Sequence, residues 1–253
     1  LPEFLNGDAI ADVQDFNRPH TRRDLVDYIL MRQALALGAE QPLTIEVKPW
    51  LSISYNRVLT SLARGKVTAL SNTLWREDIQ HDSPNLYISS PTLASGYYQV
   101  GLYTSPNNPK RLTTKTLKDV QQLTAISSRQ WRPDWQALES LNLKRLESSV
   151  NWENMVKMVH RQRADFMLAP FTPEPDMSYS AMGVTLKPIP GLKVALKGSR
   201  GWAISRTHPA GKRFYQTLER GMQILKERGS FMHAYRQAGL LHAGTDDWLL
   251  LNP

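Results

Sequence analysis

The sequence predicts an α/β fold built as two lobes, and three observations predict it. Amphipathic helix patterns at 21–37 and 54–66 alternate with strand-like runs at 43–50 and 67–70. The same alternation restarts at 117 and runs to 170. A helix followed by ARGKVTALSNT (63–73) is echoed by a helix followed by RQRADFMLAPF (161–171), as expected of two similar half-units. A chain of 253 residues is long enough for two such cores.

Each element has a local reason. In TRRDLVDYILMRQALAL (21–37), Leu25, Ile29, Leu30 and Ala34 recur at helical spacing, with Thr21 as the expected N-cap and Gly38 as the stop. LTIEVKPW (43–50) alternates apolar and polar residues and reads as a strand. SYNRVLTSLARGK (54–66) places Tyr55, Val58, Leu59 and Leu62 on one helical face and ends at Gly65. VTAL (67–70) reads as a short buried strand, which makes the first half a β-α-β-α-β arrangement.

The second half opens with a strand at 97–105 broken by NNP (107–109). Helices then follow at 117–122, 133–141 and 151–162, alternating with strands at 123–127, 143–147 and 164–170. Pro133 and Asp134 start the middle helix. Beyond a Pro- and Gly-rich stretch (172–191) come strand formers at 194–205, a long helix at 209–229 and a shorter one at 230–239.

Composition narrows the function. There is no Cys, which excludes disulfides, thiolate metal sites and Cys nucleophiles. The net charge of +8 is spread over the chain, as in Lys110-Arg111, Lys144-Arg145 and Lys212-Arg213. No basic helix or nucleic-acid module is visible, so no nucleic-acid partner is expected. No run of about 18 apolar residues exists to span a bilayer. The N-terminal LPEFLNGDAI has no basic and apolar export pattern, so a signal is either absent or already removed.

The motif that carries chemistry is LSNTLWRED (70–78), with the spacing S-x-T-x-x-R from Ser71 through Thr73 to Arg76. It begins where the strand VTAL ends, and open α/β sheets bind ligands at the carboxyl ends of their strands. A guanidinium offers a planar fork of donors that fits a carboxylate. The plain alternative is a surface Arg76 paired with Glu77 or Asp78.

The order helix, strand, L-x-x-G-K, strand, S-x-T-x-x-R resembles the type II periplasmic solute-binding proteins, closest to the polar amino-acid receptors of ABC importers. TRRDLVDYILMRQAL, YNRVLTSLARGK, TLWRED and RQWRPDWQALESLNL are similar to a branch of extracellular solute-binding-like proteins with unassigned ligands. The resemblance covers roughly residues 20 to 240.

It implies two α/β lobes joined by two crossing strands near Leu102–Ser105 and Trp202–Ser205. The first lobe would be 1–103 plus 203–253, and the second 104–202. It also implies capture of a small polar solute between the lobes, and a periplasmic location with the signal removed. The expected partners are ABC transporter membrane subunits or a receptor, and the expected state is a monomer.

Carried over residue by residue, Arg76 matches the family Arg that grips the ligand carboxylate. Ser71 matches a position offering ligand-facing hydrogen bonds, and Thr73 is motif-typical, as ligand contact or loop brace. In the second lobe, Arg129, Gln130 and Trp131 stand where the family has a small, hydroxyl-rich loop. That departure points to a larger, flatter or more anionic ligand, or to a pocket filled by the protein's own side chains. For Trp131 and Trp135 the alternative is packing against the helix.

Asp165 matches the structural Asp at the start of its strand. The strand ends in Ala169-Pro170-Phe171, with no carboxylate where the receptors hold the ligand's ammonium. The ligand is therefore expected to be anionic rather than a neutral α-amino acid, with Pro170 and Phe171 at that position. Phe16, in DFNRPH (15–20), is the candidate aromatic over the ligand, with Arg18 beside it and an exposed loop as the alternative.

No enzyme motif appears: no phosphate-binding glycine loop, no H-E-x-x-H and no nucleophile elbow. The six His residues lack ligand spacing, so neither a metal nor a cofactor is expected. The alternatives kept are a sensory binding domain acting with a partner in trans and a dehydratase-like enzyme on the same fold.

Overall fold

The structure is a computed structural model that describes residues 5, 9–18, 21–41, 43–48, 55–82 and 84–252. In chain order its first elements are helices α1 (Arg23–Gly38) and α2 (Tyr55–Ala63), strand β1 (Leu74–Trp75), helix α3 (Arg76–Asp82), and strands β2 (Leu86–Ile88) and β3 (Gln99–Thr104). Helices α4 (Lys110–Thr113) and α5 (Leu117–Gln121) lead to β4 (Thr124–Ser127), α6 (Arg132–Ser140), β5 (Arg145–Ser148), α7 (Trp152–His160) and β6 (Met167–Pro170). Strands β7 (Tyr179–Ala181), β8 (Val184–Ala195), β9 (Arg200–Gly201) and β10 (Ala203–Ser205) precede α8 (Gly211–Glu227), α9 (Ser230–Gln237) and β11 (Leu249–Leu250).

The chain forms two compact units, Leu1–Ala94 with Ser199–Tyr235, and Ser95–Gly198 with Arg236–Pro253. This differs from the expected division in two ways. The segments 102–105 and 202–205 lie inside units, at the end of β3 and over β10, and the chain passes between units at 94/95, 198/199 and 235/236. Residues 236–253, expected with the first lobe, belong to the second. There β11 pairs in parallel with β8, and Asn252 holds the Ala195 backbone at both its N–H (2.9 Å) and its C=O (2.8 Å).

In the first unit, α1 packs on α8 at backbone contact distance. A Cβ on Gly221 would lie 1.7 Å from the Ala34 carbonyl oxygen, and one on Gly38 would lie 2.0 Å from that of Thr217. Only glycine permits this approach. A second cluster gathers Leu59 and Leu62 of α2 with Leu74, Ile79, Leu86 and Ala203.

The strands of this unit pair antiparallel, β1 with β9 and β2 with β10. The expected strand at 43–50 is not formed over 43–48, and 49–50 lie outside the described residues, as do His20 and Ser54. VTAL contributes one bridge, Ala69 to Ile204, and its residues are half-exposed rather than buried. A bend over 66–68 leaves too little extended chain for a strand. Gly65 ends α2 as expected, at φ +71°. Thr21 does not cap α1: Arg22 stands at the N-cap, and the Thr21 hydroxyl instead donates to the carbonyls of Arg18 (2.6 Å) and Phe16 (3.0 Å).

Between residues 97 and 170 the second unit follows the sequence reading closely, but the Pro- and Gly-rich stretch 172–191 carries β7 and most of β8, which the reading did not expect. A sheet in the order β11-β8-β3-β6, with β7 on β8, carries its centre. The parallel pair β4–β5 joins through a bridge from Ala125 to Phe166. Asp165 braces the unit as expected: its carboxylate accepts from the Thr124 N–H (2.8 Å) and from Lys110 Nζ (2.9 Å). Thr116 and Asp119 form a capping box on α5, and Asn151 caps α7. Tyr103, Ile126, Met155, Val156, Val159 and Phe171 are among the residues of this unit's core.

Candidate functional site

The S-x-T-x-x-R segment runs from a loop through β1 into the start of α3, and its three residues meet different fates. Ser71 is exposed, and its carbonyl accepts from Trp202 Nε1 at 3.2 Å. Thr73 is fully buried and is a brace, not a free ligand contact. Its N–H and hydroxyl both donate to Asp27 Oδ2, at 3.0 and 2.7 Å. Its hydroxyl accepts from Arg200 Nε (3.0 Å) and its carbonyl from Arg200 Nη2 (2.6 Å). Tyr235 completes the group by donating to Asp27 Oδ1 at 2.8 Å. Burial first, and then the Asp27 carboxylate, push the Tyr235 hydroxyl well above its ordinary pKa.

Arg76 is the residue this network leaves available. Its backbone N–H donates to Ser199 O at 2.9 Å. Its Nε is buried and has no hydrogen-bond partner among the described residues. The expected alternative of a pair with Glu77 is not formed, because Glu77 is bound instead to the N–H of Ser199 (3.0 and 3.1 Å) and to its hydroxyl. The Arg76 side chain passes over β9, where a Cβ on Gly201 would stand 3.3 Å from Arg76 Cδ.

Tyr215 lies within electrostatic reach of Arg76. Burial raises its pKa, Glu219 adds to the rise, and Arg206 and Arg76 oppose it. Tyr215 stacks on Tyr87 at 4.7 Å, and the Arg206 guanidinium sits 4.4 Å from the Tyr87 ring centre. Phe16 is buried, so the alternative of an exposed loop at this position is not what the chain forms. Arg18 beside it donates to Leu5 O at 3.1 Å.

In the second unit, Arg129 and Gln130 are exposed in the turn before α6. Arg129 lies 5.2 Å over the Trp135 ring, and the Gln130 N–H donates to Ser128 Oγ at 3.2 Å. Trp131 is the N-cap of α6 without a side-chain cap bond, and its ring contacts Trp152 at 5.8 Å. Trp135 donates to Glu139 Oε1 at 2.6 Å and so follows its helix-packing alternative. Pro170 ends β6, and Phe171 is buried against Trp248 at 5.4 Å. Asp176, near the end of that strand, is committed elsewhere: Lys187 and Ser178 hold its carboxyl down, to about 2.

Each unit thus gathers part of the expected set: Phe16, Ser71, Thr73 and Arg76 in the first, Arg129, Gln130, Trp131, Pro170 and Phe171 in the second. Asp27, Arg200 and Tyr235 were not anticipated. The available signal was Asp27 itself, a carboxylate three and four residues before Leu30 and Met31 on a helix face otherwise apolar. Among the described residues no group of three or more His, Cys, Asp or Glu is placed to hold a metal ion.

No protein-family model matches the chain, and no curated protein matches it. Solved structures do. The chain is similar to an ancestral amino acid-binding protein described as a precursor of cyclohexadienyl dehydratase. The identity is 16%, the TM-score 0.53, and the match covers 90% of this chain and 92% of that one. It is similar to an amino acid ABC transporter substrate-binding protein of Streptococcus pneumoniae bound to L-arginine, at 15% identity and TM-score 0.54, covering 84% of each chain. It is also similar to substrate-binding domain 2 of Lactococcus lactis GlnP, at 14% identity and TM-score 0.52, covering 86% of each. These likenesses establish the fold: the two-lobe α/β, type II fold of periplasmic amino-acid-binding proteins.

Proposed function

We propose that this chain is an extracytoplasmic solute-binding protein that captures a small polar solute, with an anionic group of that solute held by Arg76. The observation that carries the reading is the buried Arg76 Nε, which has no acceptor among the described residues. Burying a charged donor without an acceptor is unfavourable, and a carboxylate arriving in two parallel hydrogen bonds removes that cost. The fold supports the class: the similar structures include two substrate-binding proteins of amino acid ABC transporters, both bound to L-arginine. The partner is accordingly the membrane subunits of an ABC-type importer, or a receptor, and the location is periplasmic. Among the described residues no helix is long and apolar enough to cross a membrane.

The test is a thermal-shift and calorimetric screen over amino acids and small organic acids, repeated with Arg76→Ala and Arg76→Lys. A solute at a hundred times its Kd adds about 2.7 kcal/mol of stability. Arg76→Ala is expected to weaken binding roughly ten- to a hundredfold with the fold intact, and Arg76→Lys to restore it only in part. Equal affinity in parent and Arg76→Ala would overturn the role of Arg76. Turnover of a bound solute would move the protein to the dehydratase-like alternative.

A further inference from the structure

The basic residues are spread along the chain, but the net charge is not. Residues 55–76 and 199–218 hold eight of the 31 Lys and Arg residues and none of the 23 Asp and Glu residues. The remainder balances at 23 of each, so the whole excess of +8 lies in these two stretches.

Both stretches belong to the first unit, and the fold brings them side by side. The end of α2 meets the segment ahead of α8. Thr207 donates its hydroxyl to Ala63 O at 2.8 Å, and Thr68 Oγ1 lies 3.2 Å from His208 Nδ1. The approach is close: a Cβ on Gly65 would stand 3.0 Å from Thr207 Oγ1 and 3.2 Å from the His208 backbone nitrogen. Around this seam Arg64, Lys66, Arg206, Lys212 and Arg213 are exposed, and Arg57 is exposed further back on α2. The other two cations, Arg76 and Arg200, are half-buried and buried.

The six exposed cations form no ion pair among the described residues. The acids next in sequence are engaged or buried. Glu77 accepts from Ser199, Glu219 accepts from the Ser90 N–H (2.7 Å) and hydroxyl (2.6 Å), and Asp78 is buried. Lys212 and Arg213 begin α8, whose first turn carries no acid. Cations at that end oppose the helix dipole, so their presence does not serve the stability of the helix.

The face also lacks what a protein partner usually needs. Protein interfaces are built on an apolar centre with aromatic anchors. Among the described residues, none of the exposed large apolar side chains lies in either stretch. A face that offers charge alone suits a partner that is itself a broad layer of negative charge, as a bilayer rich in anionic headgroups is.

We infer that the basic face of the first unit formed by Arg64, Lys66, Arg206, Lys212 and Arg213 docks on an anionic lipid surface.

The experiment is co-sedimentation of the full chain with vesicles of phosphatidylcholine alone and of phosphatidylcholine mixed equally with phosphatidylglycerol, with soluble poly-L-glutamate as a separate probe. The parent is compared with Arg64→Glu plus Lys66→Glu and with Lys212→Glu plus Arg213→Glu. A control, Lys118→Glu plus Lys157→Glu, makes the same change of charge at exposed positions of the second unit. Each variant is first checked for a cooperative melt, and Lys212→Gln plus Arg213→Gln replaces the charge reversal if that pair does not fold. The parent is expected to bind the phosphatidylglycerol vesicles only, in about 0.05 M salt, and to be released in about 0.5 M. Each reversed pair on the face is expected to weaken binding by about tenfold or more, and the control pair by about threefold or less.

Equal binding to both vesicle types, or equal loss in the control pair, would overturn the docking face. So would absence of binding to phosphatidylglycerol vesicles, and binding to poly-L-glutamate in that case would assign the face to an acidic protein instead. Vesicle binding needs no solute, so failure here leaves the solute-binding reading untouched.

Discussion

Thr73 donates its hydroxyl to Asp27 Oδ2 at 2.7 Å, and both residues are fully buried. With Arg200 and Tyr235, this bond ties α1, the loop ahead of Arg76, β9 and α9 into one polar knot inside an apolar unit. A buried polar group without its partner is costly, so the knot is expected to fail as a unit. Asp27→Asn retains one acceptor oxygen but turns a donor toward groups that are themselves donors. It should lower the unfolding free energy by on the order of 3 kcal/mol, and Thr73→Val by about 1–3 kcal/mol. Urea unfolding at neutral pH measures both. A loss below about 0.5 kcal/mol in Asp27→Asn would show that the knot is not a structural anchor.

Gly221 lies within α8, where helix propensity alone would favour alanine by about 1 kcal/mol. The packing reverses that sign. The added Cβ would sit 1.7 Å from the Ala34 carbonyl oxygen, so α1 and α8 would have to separate. Gly221→Ala is expected to destabilise by more than about 2 kcal/mol. A melting temperature equal to or above the parent's would contradict the close contact.

The His242 ring caps the turn over Ala243–Thr245 by accepting from the Gly244 N–H at 3.0 Å. Burial lowers its pKa below the ordinary value of 6.5, with Asp246 opposing in part. Between the folded and unfolded pKa values the unfolded chain binds more protons, so stability rises with pH there. The His242 contribution is therefore fully present above the unfolded value and is lost as pH falls through the lower, folded one. The stability difference between parent and His242→Ala should be largest at pH 8 and shrink toward pH 5. A difference that grows on acidification would overturn the assignment.

Asn252 replaces a strand neighbour for Ala195 with its side chain, accepting from the Ala195 N–H and donating to its carbonyl. Lys193, buried on the same strand, donates to Thr245 O at 2.6 Å. Together they fasten the C-terminal segment to the central sheet of the second unit. Asn252→Ala should cost about 1–2 kcal/mol and release the Ala195 amide to faster hydrogen exchange. Unchanged exchange at Ala195 would show that β11 holds the segment without it.

Residues 97–170 of the second unit were legible in the sequence because their signals are local, whereas β8, held between β3 and β11, was not. LKDVQ, PDWQALES and NWENMVKMVH carry helix periodicity, with Pro133 and Asp134 marking a start, and the strands between them are short apolar runs. The first unit was read less well at VTAL and 43–48, where alternation or apolarity suggested strands that the chain does not form. A strand needs a neighbour in register, and nothing in a single run of residues states whether one will arrive. The same holds for the motif residues. Ser71, Thr73 and Arg76 look alike as polar loop residues, yet one is exposed, one is locked in the core and one keeps a buried donor without an acceptor among the described residues.

By itself the sequence determined the α/β class, the stop at Gly65 and the absence of thiol chemistry, since each follows from residue type and short-range spacing. Only the tertiary structure decided that Asp27, Thr73, Arg200 and Tyr235 meet, that Phe16 is core, and that residues 236–253 belong to the second unit. Those outcomes depend on hydrogen bonds between residues such as 27 and 235, or 195 and 252, which are far apart in the chain. Long-range partners are selected by packing, which satisfies every buried donor and acceptor at once, and local pattern carries no record of that selection.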